Sequence, residues 1–298
     1  MKIEKLIHLY LQSKDFERVG ASSEHYKYWL RILKETELDG QSVWSHQCSL
    51  RPSDCQRVYD RLSDRGVTFA NRILAVVRKV FSFGVKYDYV TENPWKAVQT
   101  IVTPPRRVVW TRDDVVSFLN VAYSDFETRS VGLIAHMAYD WAQRIGDMRL
   151  LTWDNLDLEQ SILNLEQSKR RAVVHLPIND NLRDMLIQQQ ADLGWQPYVA
   201  PNTNVKKDGS YGTYTVFNIS RKANQIKELA GLPPELRLSD LRRTATTEMV
   251  EAGVGLAQIM QVTGHQNPQS VKPYMKNTLT GATNALTLRS AHTAGETS

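Results

Sequence analysis

The sequence predicts a mainly α-helical protein that has two domains and one small β-hairpin. Apolar residues recur at helical spacing along most of the chain, and a segment rich in proline and arginine interrupts that pattern after residue 102. Only the stretch 161–178 has strand-forming residues on both sides of a polar turn. With 298 residues, of which 42% are hydrophobic, the chain is long enough for two packed domains. We therefore expect a helical domain over 1–102, a linker over 103–110, and a second domain with a C-terminal tail over 111–298.

The first domain is predicted to be a small bundle of four amphipathic helices. The first helix is marked by apolar residues at the spacing of one helix face: Ile3, Leu6, Ile7, Tyr10 and Leu11. A second helix follows the candidate N-caps Ser22 and Ser23. A third runs over 52–66, and a fourth runs over 68–89 before Pro94 prevents its continuation.

Positive charge is concentrated toward the end of this domain. Residues 67–107 include seven basic and two acidic residues, although the whole chain has a formal net charge of only +5. Because Pro104 and Pro105 exclude helix and are followed by two cations, they predict an extended, semi-rigid linker. The cations favour a polyanionic partner, with a solvated helix face as the alternative. The candidate contacts to such a partner are Arg72, Arg78, Lys79, Lys86, Arg106 and Arg107.

The composition excludes several other classes of protein. Cys48 and Cys55 are the only cysteines and no CxxC or HxxxH spacing occurs, so neither a disulfide framework nor a zinc site is expected. The N-terminus has no apolar signal stretch, and the longest apolar passages are too short to span a bilayer. No nucleotide-binding GxxxxGK[ST] or GxGxxG motif occurs. We therefore expect no metal, no cofactor and no membrane role, and a reducing cytoplasm as the compartment.

The second domain is predicted to be helical around one hairpin. Thr111 is a candidate N-cap for a helical stretch that continues to Trp141. The hairpin over 161–178 carries cations at its tip, where Lys169 lies. Further helices are predicted over 179–193, 215–230, 239–251 and 255–262.

Four short segments of this domain place cations, a histidine and a tyrosine at turns and helix starts. They are Gln143-Arg144-Ile-Gly-Asp147, the hairpin tip Gln167-Ser-Lys169, Ser239-Asp-Leu-Arg242-Arg243-Thr244, and Gly264-His265 followed by Tyr274. Taken alone, each has an ordinary explanation as a surface ion pair, a cap, a packing residue or an amphipathic surface position. Their order along the chain is what carries a functional prediction.

Together, from Thr111 to Tyr274, these segments resemble the signature of the tyrosine recombinase family, also called the phage integrase family. The first arginine of the family pattern corresponds to Arg144, with the acidic residue Asp147 three positions later. The lysine that family members carry on a β-hairpin turn corresponds to Lys169.

The remaining family motifs follow in the same order. The motif H-x-L-R-[RH]-T is matched around Arg242, the second family arginine, except at its first position. The L-G-H motif is matched at Gly264-His265, and Tyr274 corresponds to the nucleophilic tyrosine.

The chain departs from the family pattern at two positions. Where the family has a histidine this chain has Ser239, which can form hydrogen bonds but cannot carry charge at neutral pH. Either His265 covers that role or the enzyme is slower. We expect Ser239 to cap the following helix and to play a minor part in the active site. Pro273 directly precedes Tyr274, so Tyr274 is expected to begin a helix or to lie on a mobile segment.

The resemblance implies both a fold and a reaction. The fold is a helical, SAM-like core-binding domain over 1–102 followed by the tyrosine recombinase catalytic domain over 111–298, which close around duplex DNA in known members. The reaction is site-specific cleavage and rejoining of DNA through a 3′-phosphotyrosyl intermediate, without metal or ATP, for integration or excision of a phage or other mobile element. The implied partners are double-stranded DNA attachment sites, a homotetramer on DNA, and accessory DNA-bending proteins in a bacterial cytoplasm.

The residue types suit that reaction. Attack on a phosphodiester builds negative charge on the phosphoryl oxygens, which Arg144 and Arg242 would stabilise, with His265 adding a hydrogen bond. A phenol ionises at about pH 10 in water, so neighbouring cations would also favour the nucleophilic phenolate of Tyr274. By resemblance, Lys169 protonates the departing 5′-oxygen.

Two other functions remain as alternatives. A type IB topoisomerase shares this chemistry but reseals the same strand, so recombination between two marked sites would separate it from a recombinase. A DNA-binding relative that has lost its activity is the second alternative, and Ser239 is its only support in the sequence.

Overall fold

The structure of the protein is a computed structural model, which describes residues 1–169, 171–274 and 279–295. The chain forms two compact units, Met1–Arg106 and Arg107–Ser298, and the division between them lies inside the segment 103–110. Each unit has its own hydrophobic core. Within the described ranges, no helix combines the length and the apolar character that a membrane span requires.

The first unit is a helical bundle built on its longest helix. Its helices are α1 (Ile3–Leu11), α2 (Lys14–Glu17), α3 (Ser23–Glu35), α4 (Pro52–Ser63) and α5 (Val67–Lys86). The apolar residues of α5 recur on one buried side, and this helix packs against α1, α3 and α4. An antiparallel hairpin of two-residue strands, β1 (Glu37–Leu38) and β2 (Gln41–Ser42), lies between α3 and α4.

The second unit packs helices around one core and one small sheet. Its helices are α6 (Arg112–Tyr123), α7 (Phe126–Asp140), α8 (Ile145–Met148), α9 (Asp180–Leu193), α10 (Val216–Leu229), α11 (Leu241–Glu251), α12 (Leu256–Thr263) and α13 (Leu279–Gly295). The strands β3 (Leu156–Asp157), β4 (Ile162–Glu166) and β5 (Val173–Pro177) form an antiparallel sheet in that order. The apolar helix α7 is central, since it packs against α6, α9, α10 and α11. The predicted fold class, mainly helical with a small sheet, is confirmed.

The predicted hairpin is formed by β4 and β5. The strand register ends with Glu166 opposite Val173, and the backbone N–H of Gln167 donates to the carbonyl oxygen of Ala172 at 2.8 Å. Burial alternates along both strands, as expected for a sheet with one face on the core. Lys169 is exposed at the tip.

Several details differ from the sequence-based expectations, and in the first unit these are the short helix α2 and the β1–β2 hairpin. The helical stretch after Thr111 is divided into α6 and α7, because the Asp125 side chain accepts a hydrogen bond from the N–H of Glu127 at 2.8 Å and caps a new helix. The hairpin is extended by β3, whose two residues are too short for any periodicity. Helix α13 lies where the sequence predicts only a tail.

Candidate active site

Arg144 begins a short helix, where its side chain contacts the hairpin and lies near a carboxylate of its own helix. It is the N-cap residue of α8, and its side chain is 25% exposed. Its Nη1 donates a hydrogen bond of 2.8 Å to Oε1 of Gln167 on the hairpin, and the same atom lies 3.7 Å from Oδ2 of Asp147. The guanidinium is therefore a partly exposed cation with a fixed position.

Asp147 connects α8 to the hairpin that carries Lys169. This carboxylate is buried, and its Oδ1 accepts hydrogen bonds from both the backbone N–H (3.2 Å) and the hydroxyl (2.5 Å) of Ser168. Because Ser168 directly precedes Lys169, the acidic residue of the first motif restrains the first half of the hairpin tip. Lys169 itself extends from this anchored base as an exposed cation.

The second arginine lies beside the histidine. Arg242 is buried near the start of α11, and its Nη2 donates to the carbonyl oxygen of Thr263 at 2.8 Å. The same nitrogen lies 3.1 Å from Nε2 of His265.

Helix α11, which carries Arg242, is fixed to α7 by the hydroxyl of Tyr139, which donates to Glu248 at 3.0 Å. Burial raises the pKa of the Tyr139 phenol and of the Glu248 carboxyl group.

The hydrogen bonds of His265 assign its tautomer. The hydroxyl of Thr263 donates to the carbonyl oxygen of Ile259 at 2.7 Å, so its oxygen is left to accept from Nδ1 of His265, which lies 2.7 Å away. The opposite ring nitrogen, Nε2, then has a lone pair that accepts from Arg242. This pattern fits a neutral imidazole with its proton on Nδ1.

Gly264 provides the sharp turn that places His265. It ends α12 with a left-handed backbone (φ 68°), a conformation that favours glycine. A Cβ atom at this position would lie 2.5 Å from Nε2 of Gln167. Both the conformation and the space therefore require glycine here.

Tyr274 lies next to His265, at the end of a short turn, and the residues that directly follow it lie outside the described ranges. It closes the 3₁₀ turn Lys272–Tyr274, and its backbone N–H donates to the carbonyl oxygen of Val271 at 2.9 Å. Its ring is half-buried and lies 6.4 Å from the ring of His265 at an angle of 30°. The guanidinium carbon of Arg243 lies 5.6 Å from the ring centroid, so a cation that the sequence analysis did not single out lies close to the phenol.

Arg144 and Arg242 line the same cavity, which has a volume of about 690 Å³. Its wall also includes Lys227, a buried residue whose Nζ donates to the carbonyl oxygens of Pro234 (2.9 Å) and Leu236 (2.6 Å). These bonds fix the segment that leads into the second arginine motif. The sequence analysis missed Lys227, because its position in α10 has the pattern of an ordinary surface lysine.

The expectation that Ser239 caps the following helix is wrong. A 3₁₀ turn, Leu238–Asp240, precedes α11, and the N-cap residue of α11 is Asp240. The carboxylate of Asp240 accepts from the backbone N–H of Arg237 at 3.1 Å and so closes this turn. Ser239 is exposed and lines the cavity together with the two arginines. Ser239 is therefore part of the cavity wall and not the cap of α11.

This placement gives a prediction for two variants of Ser239. We expect Ser239→Ala to lower the rate of DNA cleavage without lowering the melting temperature, because Ser239 lines the cavity and is not the N-cap of α11. Ser239→His should retain or raise the rate, since imidazole can donate the same hydrogen bond. Single-turnover cleavage rates and thermal melting would be measured on both variants. A lower melting temperature with an unchanged rate in Ser239→Ala would restore the capping role.

The candidate DNA contacts differ in whether their side chains already have partners within the protein. Arg72 and Lys79 are exposed on α5. The guanidinium of Arg78, in contrast, donates to the carbonyl oxygens of Trp95 (2.9 Å) and Val98 (2.7 Å), and Lys86, although exposed, pairs with Asp15 at 3.0 Å. Arg107, in the second unit, is exposed, whereas Arg106 is half-buried.

A salt titration tests the exposed group. We expect the double variant Arg72→Ala, Lys79→Ala to bind every duplex more weakly, and the slope of log affinity against log salt to fall by about 0.9 for each phosphate that the variant no longer neutralises. The matched control is Lys27→Ala, Arg31→Ala on α3, where both side chains are exposed and paired with glutamates. If the two double variants show the same slope as the unchanged protein, Arg72 and Lys79 belong to a solvated helix face.

Among the described residues, no cluster of three or more His, Cys, Asp or Glu side chains has the arrangement that a metal ion needs.

The five predicted catalytic residues fall into two sets. Four of them lie in one network of direct or shared contacts: Arg144, Arg242, His265 and Tyr274. Lys169 lies outside that network, two residues after Gln167 on the exposed tip.

Comparisons with known proteins match the region that holds this site. The model of the phage integrase family matches residues 109–280. A curated relative, the shufflon-specific DNA recombinase of Escherichia coli, is 23% identical over 143 residues. That match covers 48% of this chain and 33% of the relative, so it spans about a third of the relative's length.

Solved structures match over both units. The Tn1549 transposon integrase in complex with transposon right end DNA has a TM-score of 0.72 and 18% identity, over 98% of this chain and all of that one (100%). A lambda integrase tetramer bound to a Holliday junction has a TM-score of 0.73 and 15% identity, over 93% of this chain and 78% of that one. At these identities the likeness establishes the fold.

Proposed function

The chain belongs to the phage integrase family, whose model matches more than half of it, and from this premise we propose that it is a site-specific DNA recombinase. It cleaves and rejoins duplex DNA through a covalent bond to Tyr274. One observation carries the proposal: two arginines from distant segments, Arg144 and Arg242, line a single cavity, and His265 lies between Arg242 and Tyr274.

The chemistry combines the two arginines of that cavity with Lys169, His265 and Tyr274. The scissile phosphate binds between Arg144 and Arg242, whose guanidiniums stabilise the charge that develops on its oxygens. The neighbouring cations favour the phenolate of Tyr274, whose proton passes to water, and the phenolate oxygen attacks phosphorus, forming the 3′-phosphotyrosyl bond as the bond to the 5′-oxygen breaks. Lys169 donates a proton to that oxygen, which leaves as a 5′-hydroxyl. His265, whose Nε2 accepts from Arg242, holds that guanidinium in place beside Tyr274.

Rejoining is the reverse of cleavage. A 5′-hydroxyl from another strand gives its proton to Lys169 and attacks phosphorus, and Tyr274 leaves as a phenolate that takes up a proton from water. Because each step exchanges one phosphate ester for another, the reaction needs no ATP. Metal independence follows from the same proposal, since guanidiniums supply the charge stabilisation that a metal ion would otherwise provide.

The partners are double-stranded DNA attachment sites and further copies of this chain. Strand exchange needs four active subunits at two sites, and the lambda integrase structure with a similar fold is a tetramer on a Holliday junction. We propose the same assembly here, serving integration or excision of a phage or another mobile element. Accessory DNA-bending proteins would assist it.

Recombination between two sites tests this function. The substrate is a supercoiled plasmid with two copies of the attachment site, which is identified from the genomic sequence that flanks the gene. We expect recombinant products that depend on both copies. Relaxation of a plasmid without the site, with no recombinants from the two-site plasmid, would instead indicate a topoisomerase. Binding with neither product would indicate a DNA-binding relative that has lost its activity.

A further inference from the structure

Gln167 joins three parts of the active site through one buried amide. The residue is fully buried, and its Oε1 accepts from Arg144 at 2.8 Å. Its Nε2 donates to Oε1 of Gln143 at 2.6 Å and to the carbonyl oxygen of Thr263 at 2.8 Å. Both amide hydrogens and one carbonyl lone pair are thus in use.

These bonds fix the direction of the amide. Reversing it would place the NH₂ group against the guanidinium of Arg144 and the carbonyl against two other oxygens. Gln143 is fixed in turn, because its own Nε2 donates to the carbonyl oxygens of Trp141 (2.8 Å) and Val262 (2.7 Å). A rigid acceptor is therefore presented to Arg144.

The same network reaches the second arginine. The carbonyl oxygen of Thr263 accepts from Gln167 and also from Nη2 of Arg242, at 2.8 Å in both cases. A continuous path of hydrogen bonds therefore runs from Arg144 through Gln167 and Thr263 to Arg242. It connects the two guanidiniums that line the cavity.

A competing partner for Arg144 lies close by. Oδ2 of the buried Asp147 is 3.7 Å from Nη1 of Arg144, and within the described ranges this oxygen accepts no hydrogen bond. A buried carboxylate oxygen without a donor attracts a guanidinium strongly. Without Gln167, Arg144 would close this gap and move away from its place in the wall of the cavity.

We propose that Gln167 is a positioning residue that sets the separation of the Arg144 and Arg242 guanidiniums. The role rests on the proposed recombinase function, in which both arginines bind one phosphate. Electrostatic stabilisation depends on donors that are already in place when charge develops. A misplacement of about 1 Å can lower a rate by about 100-fold.

Two variants of Gln167 and one matched control test this role. Gln167→Met keeps the length of the side chain but removes its three hydrogen bonds. Gln167→Glu keeps an acceptor for Arg144 but sets a carboxylate against the oxygens of Gln143 and Thr263. The control is Gln189→Met, because Gln189 is an equally buried amide of the same unit that donates to Ser130 (3.2 Å) and Val199 (3.1 Å).

We expect Gln167→Met to cleave between about 10-fold and 100-fold more slowly at saturating protein. Its affinity for the duplex and its melting temperature should match those of Gln189→Met, which should cleave at the unchanged rate. Gln167→Glu should be slowed at least as much, although it retains an acceptor for Arg144. An equal loss of rate in Gln167→Met and Gln189→Met would reduce Gln167 to an ordinary buried amide and overturn the inference.

A substrate with a different leaving group shows which part of the cleavage step is impaired in Gln167→Met. On a duplex with sulfur in place of the 5′-bridging oxygen, the departing thiolate needs no proton, whereas the phosphoryl oxygens still need both arginines. The slow cleavage by Gln167→Met should therefore persist on this substrate. Full recovery would mean that Gln167 acts through proton donation from the hairpin, which contradicts the proposed role.

A crystal structure makes the test independent of catalysis. In DNA-free Gln167→Met we expect the Arg144 guanidinium to move by about 1 Å or more toward Asp147, which changes its separation from Arg242. Unchanged arginine positions would overturn the inference. If the unchanged protein forms no covalent adduct, the recombinase function fails, and the arginine positions still decide whether Gln167 sets them.

Discussion

Replacing Tyr274 by phenylalanine should abolish covalent attachment to DNA while leaving DNA binding nearly unchanged. Only the nucleophilic oxygen is removed, and the phenylalanine ring can keep the contacts with His265 and Arg243. Adducts that survive SDS would be measured on a nicked suicide duplex, from which the cleaved end diffuses away and traps the covalent complex. Affinity for the same duplex would be measured by mobility shift.

A second tyrosine serves as the control for Tyr274→Phe. Tyr211 is a partly buried tyrosine of the same unit whose ring packs against Trp195, and Tyr211→Phe should form adducts at the unchanged rate. Adducts that persist in Tyr274→Phe would move the nucleophile to another residue. Tyr198, Tyr211 and Tyr214 would then be the candidates to replace in turn.

Replacing Lys169 by alanine should slow cleavage by about 10² to 10⁴, the usual contribution of a general acid. Its exposed position on the tip, anchored by Gln167 and Ser168 on one side, suits a group that reaches the DNA backbone only when DNA is bound. The defect should disappear on a duplex with a 5′-bridging sulfur, because a thiolate leaves without a proton. Single-turnover rates on the two substrates measure both effects.

An exposed lysine elsewhere in the second unit controls for the removal of charge. Lys207→Ala should cleave both substrates at the unchanged rate, since Lys207 is also exposed but lies outside the predicted hairpin. If Lys169→Ala is equally slow on the oxygen and the sulfur substrate, Lys169 contributes to binding or to phosphate stabilisation. Another group would then have to protonate the 5′-oxygen.

Much of the fold could be predicted because its signals are local. Helical periodicity in α1 and α5, and the polar turn at the hairpin tip, depend on residues a few positions apart. The family could be recognised for the same reason, because each of its motifs is a short segment. The match of the family model confirms this resemblance. The two-residue strands β1, β2 and β3 have no periodicity of their own and form only because a partner strand is present.

The connections within the site could not be predicted from local signals. Gln167 and Thr263 are 96 positions apart in the chain, and nothing in either segment indicates that they meet. Ser239 has a residue type and a position typical of a helix cap, but Asp240 closes the preceding turn through a backbone contact. Lys227 likewise has no marker, because its burial depends on how α10 packs.

Covalent trapping of the unchanged protein is the most direct test of the central claim. The purified protein would be incubated in EDTA, without nucleotide, with the nicked suicide duplex, and the adduct would be digested and identified by mass spectrometry. We expect a single modified peptide in which Tyr274 carries a 3′-phosphoryl nucleotide. A nucleotide on a different residue, or cleavage that strictly requires magnesium, would contradict the mechanism.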